Sequence, residues 1–203
     1  MCGIAGLIHR GKSSNVGEEL QHMLQALKHR GPDSTGYALY ADNDGQNFIL
    51  RFKVGENVGE GSTSVNEDES VYNERKKAVD KKLSELGALV VKEEKLTPYS
   101  YRYEIKFDKD LMEFSKAIES IQSVEILSIG KSLELIKDLG DATVVSERYG
   151  LSKVQGTHGI GHARMATESG VDIKSAHPFW GYPFADVSVV HNGQLTNYWN
   201  NRR

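Results

Sequence analysis

Residues 2–9 read CGIAGLIH, a short apolar stretch that gives way to the polar residues 10–12. Apolar runs of this length that end at turn residues are typical of a buried strand. The stretch begins with Cys2, which is the second residue of the chain and its single cysteine. A lone cysteine is usually a small buried apolar residue, but its position directly after Met1 allows a second interpretation.

Cys2 could also be an N-terminal nucleophile. A small second residue generally permits removal of Met1, which would leave Cys2 with a free α-amine. Because an α-amine is partly neutral near physiological pH, it can accept the thiol proton. Nucleophile and general base would then belong to one residue, and such a base typically accelerates a reaction by roughly 10²–10⁴.

The segments that follow predict a helix and two strands. Apolar residues recur at helical spacing over residues 20–27, and residues 29–32 end this helix. Residues 35–41 and 48–54 are strand-like. An Asp-Gly step between the two strands favours a hairpin turn, so we expect them to pair with each other.

The composition changes after these strands. Residues 55–70 are rich in glycine, serine and acidic residues, which indicates a solvated linker. The elements predicted beyond the linker are a helix at 71–86, strands at 88–91 and 99–107, a helix after Asp108, a strand at 124–129 and a short helix at 131–139. Their order resembles a split βαβ module that a strand from before the linker could complete.

The C-terminal part of the chain is glycine-rich and strand-like again. The sequence GTHGIGHARMAT at residues 156–167 is followed by a loop, and a strand at 187–191 runs into Asn192 and Gly193. The chain then stops at Arg203, where we expect an element to be interrupted.

Five short blocks of this sequence occur in the order found in class II glutamine amidotransferases. They are CGIAG at 2–6, HRGPDS at 29–34, GHARMAT at 161–167, AHP at 176–178 and VHNG at 190–193. Each block alone is weak evidence, but five blocks in order are hard to obtain by chance. The chain therefore resembles the glutaminase domain of this family, and it is most similar to the glutamate-synthase-related, GlxB-type branch.

The resemblance implies a fold as well as an activity. It predicts an α+β protein with an N-terminal-nucleophile αββα sandwich, formed by residues 1–54 and 151–203 and incomplete at its C-terminus. Residues 55–150 would be the linker and an inserted α+β module. The glutaminase step needs no metal and no organic cofactor, and the ammonia would pass to an acceptor site on another domain or subunit. The sequence leaves open whether the chain forms a homo-oligomer.

In this family the catalytic residues would be Cys2, Asn192 and Gly193. Cys2 would attack the side-chain amide of glutamine, forming a thioester and releasing ammonia. The Asn192 side chain and the Gly193 backbone N–H would form the oxyanion hole, where the loss of one donor typically costs about 10²–10³ in rate. Taken alone, the Asn-Gly pair would favour a hairpin turn instead.

The resemblance assigns substrate binding to three further residues. Arg164 would bind the α-carboxylate of glutamine, because a guanidinium presents a planar pair of donors. Thr167 and His177 would line the substrate pocket. We interpret residues 30–34 as a structural turn near the site.

The sequence also departs from the family pattern. Met165 stands where several relatives have an aromatic residue, and Glu168 stands where several have histidine. No residue can be assigned to the acidic group that binds the glutamine α-ammonium. We therefore expect a fragment or one part of a split protein. A non-catalytic binding module with the same fold, or hydrolysis of a different amide, are the alternatives.

Composition and charge exclude other classes of protein. The 203 residues include 25 basic and 28 acidic residues, so the net charge of −3 is not that of a nucleic-acid-binding protein. No apolar run reaches the roughly 18 residues of a transmembrane helix, and the N-terminus lacks the basic start of a secretory signal. A single cysteine fits a reducing compartment, so we expect a soluble, cytoplasmic protein without membrane partners.

Overall fold

The structure, a computed structural model, describes residues 2–56, 68–165 and 173–193. These residues form two four-stranded antiparallel sheets, a two-stranded ribbon and four α-helices. The predicted α+β class is thereby confirmed. None of the described helices combines the length and the apolar composition that a membrane crossing requires.

The first sheet carries the N-terminal strand. In spatial order it contains β1 (Gly3–Ile8), β8 (Gly156–Arg164), β2 (Ser34–Ala41) and β7 (Leu133–Leu139). Two helices, α1 (Val16–Ala26) and α4 (Ala142–Tyr149), pack on one face of this sheet. The glycines of β8 allow α1 to lie close, because a Cβ at Gly161 would lie only 2.5 Å from Leu24 Cδ1.

The second four-stranded sheet packs against its own pair of helices. In spatial order it contains β4 (Leu89–Thr97), β5 (Ser100–Lys106), β3 (Phe48–Lys53) and β6 (Glu125–Gly130). Helices α2 (Glu69–Leu86) and α3 (Leu111–Glu119) pack against it through a shared apolar cluster. The chain order is βαββαβ, which is the split βαβ arrangement. The prediction that a strand from before the linker completes this module is confirmed, because β3 pairs with both β5 and β6.

The predicted hairpin between residues 35–41 and 48–54 is wrong. Both strands exist, but β2 pairs with β7 and β8 in the first sheet, whereas β3 lies in the second sheet. The chain therefore changes sheets between β2 and β3, and it returns between β6 and β7. The predicted domain boundaries after residue 54 and before residue 151 stay a prediction. Strand β3, which precedes the first boundary, lies in the sheet of the module, and β7, which lies between the two boundaries, belongs to the first sheet.

The short helix predicted at residues 131–139 is also wrong, because this segment is strand β7. Its sequence LELIKDL has apolar residues at helical spacing, but every residue of the strand is buried, including Glu134, Lys137 and Asp138. These three charges are held in ion pairs: Glu134 with Arg51 and Arg102, Lys137 with Glu125, and Asp138 with Arg148. Local periodicity does not show partners that lie so far away in sequence.

Helix α4 was not predicted, although both of its ends carry standard signals. The Asp141 carboxylate accepts hydrogen bonds from Thr143 N at 3.0 Å and Val144 N at 3.1 Å. Gly150 follows the helix in the left-handed conformation, with φ 64°. An acidic N-cap and a C-terminal glycine are typical helix boundaries. The predicted strand at 187–191 is present but shorter, as β10 (Ser188–Val189), which pairs with β9 (Phe179–Trp180).

Candidate active site

Cys2 lies at the start of β1, and two distant segments contact its backbone. Its carbonyl oxygen accepts a hydrogen bond from Asn192 Nδ2 at 3.0 Å and from Arg30 Nε at 3.2 Å. Its Sγ atom is partly exposed and lies 3.9 Å from the carbonyl oxygen of Met165. Three segments that are far apart in sequence thus converge on the cysteine.

The turn that contains Arg30 has a structural role and also contacts Cys2. Residues 28–30 form a single 3₁₀ turn after α1. Gly31 then runs against β8 so closely that a Cβ there would lie 2.5 Å from the carbonyl carbon of Ala163. Asp33 N donates to Arg164 O at 3.2 Å. The turn is structural, as predicted, but it also brings the Arg30 guanidinium to Cys2, a contact that the sequence analysis missed.

Arg164 occupies the C-terminal end of β8, where it pairs in register with Ser34. The residue is mostly buried, with 7% of its surface exposed. Its neighbour in the chain, Met165, supplies the carbonyl oxygen next to Cys2 Sγ. Arg164 therefore lies at the same end of the first sheet as the cysteine. Thr167, the next predicted pocket residue, lies outside the described residues.

The segment that ends in Asn192 is anchored by Asp186. The Asp186 carboxylate accepts hydrogen bonds from Lys131 N at 3.1 Å, Ser132 N at 2.8 Å and Leu133 N at 2.7 Å. Burial alone would raise the pKa of Asp186, but these N–H groups lower it. The bonds tie the strand β10, and with it Asn192, to the connection between β6 and β7.

Three histidines lie near this site. The ring centroid of His177 is 4.8 Å from that of His162 and 6.5 Å from that of His191. Burial, together with nearby positive charge, lowers the pKa of His162 to about 4 and that of His177 to about 4. Both rings are therefore neutral at pH 7. Of these three histidines, the family resemblance assigns a role to His177 alone.

The described part of the chain contains no group of three or more His, Cys, Asp or Glu side chains arranged to hold a metal ion. His162 is buried, with 1% of its surface exposed, and His177 is half-buried. Neutral imidazoles can donate or accept hydrogen bonds without adding charge.

Gly36 of β2 lets the His177 backbone lie directly on the first sheet. A Cβ at this position would lie 2.0 Å from the carbonyl oxygen of His177. We expect Gly36→Ala to displace residues 177–178, to lower the free energy of unfolding by about 1–3 kcal/mol and to reduce the glutamine hydrolysis that the sequence predicts.

Urea unfolding and an ammonia-release assay measure these two effects. Gly6→Ala is the control, because a Cβ at Gly6 of β1 would lie 3.3 Å from an Ile160 methyl group, a much milder contact. Equal stability and activity in the two variants would contradict the packing of His177 on Gly36.

Comparison with known proteins identifies sequence relatives of this chain. Residues 1–47 match a family model described as a glutamine amidotransferase domain. Over 210 residues the chain is 37% identical to a protein of Methanothermobacter thermautotrophicus named as a glutamine amidotransferase, with all of this chain and 64% of the relative covered. It is 32% identical over 205 residues to the glutamine amidotransferase-like protein GlxB of Rhizobium meliloti, with all of this chain and 62% of the relative covered.

A third relative shares a shorter region. The glutamine–fructose-6-phosphate aminotransferase of Methanococcus maripaludis is 32% identical over 95 residues, which cover 46% of this chain and 16% of the relative. The chain spans somewhat less than two thirds of the length of the first two relatives. Together with the matched family model, these similarities show that the chain belongs to the glutamine amidotransferase family.

Proposed function

We propose that this protein is the glutaminase domain of a class II amidotransferase, in which Cys2 hydrolyses the side-chain amide of glutamine. The observation that carries the proposal is the hydrogen bond from the Asn192 side chain to the Cys2 carbonyl at 3.0 Å, between residues 190 positions apart. An oxyanion hole must lie beside its nucleophile, because its donors act about 3 Å from the developing oxyanion. The contact supports that relation between Asn192 and Cys2.

The reaction begins after Met1 is removed. The α-amine of Cys2 takes the proton from Sγ, and the thiolate attacks the amide carbon of glutamine. As the S–C bond forms, the carbonyl electrons move to the oxygen, which accepts hydrogen bonds from Asn192 Nδ2 and Gly193 N–H. The C–N bond then breaks, and ammonia leaves with the proton returned by the α-ammonium. Water hydrolyses the thioester, which releases glutamate and restores the thiol.

Arg164 binds the α-carboxylate of glutamine in this proposal. Its place at the end of β8, one residue before the carbonyl that lies 3.9 Å from Cys2 Sγ, supports this role. The histidines His162 and His177 are neutral at pH 7, so they do not compete for the carboxylate as cations. Thr167 and His177 line the pocket. Arg30 is a positioning residue, because it holds the Cys2 carbonyl rather than the reacting atoms.

The fold proposed for the domain is the N-terminal-nucleophile αββα sandwich, with the first sheet as one of its two β-layers. Residues 1–54 and 151–203 are its predicted parts, and residues 55–150 the predicted insertion. The ammonia passes to an acceptor on another domain or subunit. The name of one relative, a glutamine–fructose-6-phosphate aminotransferase, supports this proposal, because it pairs glutamine with a second substrate.

Asn192→Ala tests the proposal. We expect the rate of ammonia release from glutamine to fall by about 10²–10³, because one of two oxyanion donors is lost. Asn73→Ala is the control, since Asn73 is exposed on α2 and far from Cys2 in the fold. Ammonia release that is the same in wild type, Asn192→Ala and Cys2→Ala would instead favour a non-catalytic binding module.

A further inference from the structure

A cavity of about 170 Å³ lies where the βαββαβ module meets the first sheet. Its walls come from α3, β6, β7 and the segment that follows His177. They include Glu119, Glu125, Lys137, Phe179, Trp180 and Tyr182. Cys2, Arg164 and Asn192 do not line it, so the cavity is separate from the proposed active site.

The lysine in this cavity, Lys137, already forms an ion pair within the protein. Lys137 Nζ lies 3.1 Å from Glu125 Oε1 and 4.8 Å from the centroid of the Phe179 ring. The other carboxylate oxygen of Glu125 lies 3.1 Å from Lys53 Nζ. Both oxygens of Glu125 therefore face lysines, and Lys137 offers little attraction to an anionic ligand.

Glu119 is the charged group of the cavity that has no such partner. Its Oε1 atom accepts a hydrogen bond from Ile126 N at 3.2 Å. Glu119 is exposed at the edge of the cavity. Its partial burial, with a contribution from the neighbouring Glu125, raises the pKa of Glu119, and no cationic side chain lowers it. In the described part of the chain, no lysine, arginine or histidine forms an ion pair with Glu119. This carboxylate is thus available to a cation from outside the protein.

The aromatic side chains form the apolar part of the wall. The rings of Trp180 and Tyr182 are perpendicular, with centroids 5.5 Å apart. Their polar atoms are engaged elsewhere, because Trp180 Nε1 donates to Phe184 O at 2.8 Å and Tyr182 OH donates to Met112 O at 3.4 Å. What these side chains offer a ligand is ring surface, and aromatic faces attract cations.

We propose that this cavity binds a small organic cation, with its ammonium group at Glu119 and its apolar body against Trp180 and Tyr182. The pocket is partly open to solvent, and its volume of about 170 Å³ has room for a ligand with a single ring, since benzene fits an enclosed cavity of roughly 150 Å³. An anion would face the Glu119 carboxylate and is disfavoured. The bound cation would contact both α3 of the module and the segment that carries His177.

The test compares three ligands of nearly the same shape: benzylamine, benzyl alcohol and benzoate. Titrations use a Trp199→Phe background, so that Trp180 is the single tryptophan and its fluorescence reports on the cavity. We expect benzylamine to quench Trp180 and to bind about threefold to fivefold more tightly than benzyl alcohol, because Glu119 is exposed and an exposed ion pair contributes up to about 1 kcal/mol. We expect no binding of benzoate.

Glu119→Gln supplies the decisive variant. Glutamine keeps an oxygen that can accept from Ile126 N, so we expect the variant to fold and to bind benzylamine about threefold to fivefold more weakly, with benzyl alcohol unaffected. Glu113→Gln, on the exposed side of the same helix, is the control and should leave both affinities unchanged.

Three results would overturn the proposal: equal affinity for benzylamine and benzyl alcohol, unchanged benzylamine affinity in Glu119→Gln, or no binding at millimolar concentrations. Should Glu119→Gln not fold, Tyr182→Leu on the exposed rim serves instead, and unchanged benzylamine affinity there would have the same meaning. No measurement in this series depends on glutamine hydrolysis, so its outcome is independent of the proposed glutaminase activity.

Discussion

Replacing Cys2 with alanine is expected to abolish the release of ammonia from glutamine, with a loss on the order of 10⁴-fold or more. The variant keeps the α-amine but has no sulfur to form the thioester. The backbone carbonyl to which Asn192 and Arg30 donate is unchanged. We therefore expect Cys2→Ala to keep the fold and the ability to bind glutamine.

Ammonia assays and calorimetric titration with glutamine separate these two properties in the full-length protein. Cys2→Ser is a useful companion variant, because its hydroxyl has nearly the same shape but is a much weaker nucleophile than a thiol. Met165→Leu is the matched control. Cys2 Sγ lies 3.9 Å from the backbone carbonyl oxygen of Met165, and exchanging the Met165 side chain keeps this carbonyl. Ammonia release at the wild-type rate from Cys2→Ala would show that another group performs the hydrolysis.

The second large effect concerns Glu134, which joins the two sheets. This buried carboxylate of β7 accepts two hydrogen bonds from Arg51 of β3 and two from Arg102 of β5, the latter both at 2.9 Å. Glu134→Gln would leave the buried Arg51 guanidinium without a counter-charge among the described residues, whereas Arg102 would keep Glu94 at 3.7 Å. Removing one partner of a buried ion pair typically lowers the free energy of unfolding by about 3–5 kcal/mol, and we expect a loss of this size.

Urea denaturation of wild type and Glu134→Gln measures this difference. Glu85→Gln is the control, because Glu85 lies on the surface of α2 and pairs with the exposed Lys82 at 3.1 Å. Exposed ion pairs contribute about 0–1 kcal/mol. A loss in Glu134→Gln no larger than that in Glu85→Gln would contradict the role of Glu134 in joining the sheets.

The same residue predicts a dependence of stability on pH. Burial would raise the pKa of Glu134, but Arg51 and Arg102 lower it from 4.5 to about 2. Because the pKa is lower in the folded state, the contribution of Glu134 is present above about pH 4.5 and is lost as the pH falls towards 2. The stability difference between wild type and Glu134→Gln should therefore shrink over this range. A constant difference would contradict the assigned ion pairs.

Much of the fold could be predicted from sequence where the elements have a clear local pattern. The apolar spacing of α1 and α3 and the alternation in β5 identified these elements within a few residues. The pairing of β2 with β7 could not be predicted, because a strand of residues 34–41 finds its partner about a hundred positions away. Strand β7 was mistaken for a helix because its buried charges are satisfied only by other strands.

The candidate site, like the fold, could be predicted from sequence only in part. The ordered blocks identified Cys2 and Asn192, which the structure brings into contact. The contact of Arg30 was missed because it goes to a backbone carbonyl, a partner that no sequence motif specifies. The neutral state of His162 and His177 could not be predicted either, because it depends on burial.

The central claim is that the mature chain begins with a nucleophilic cysteine. Incubation of the full-length protein with the glutamine analogue 6-diazo-5-oxo-norleucine, followed by intact-mass measurement and peptide mapping, tests it most directly. The predicted result is a protein without Met1 that carries a single adduct on Cys2, together with no adduct in Cys2→Ala. A protein that keeps Met1 and carries no adduct would contradict the claim.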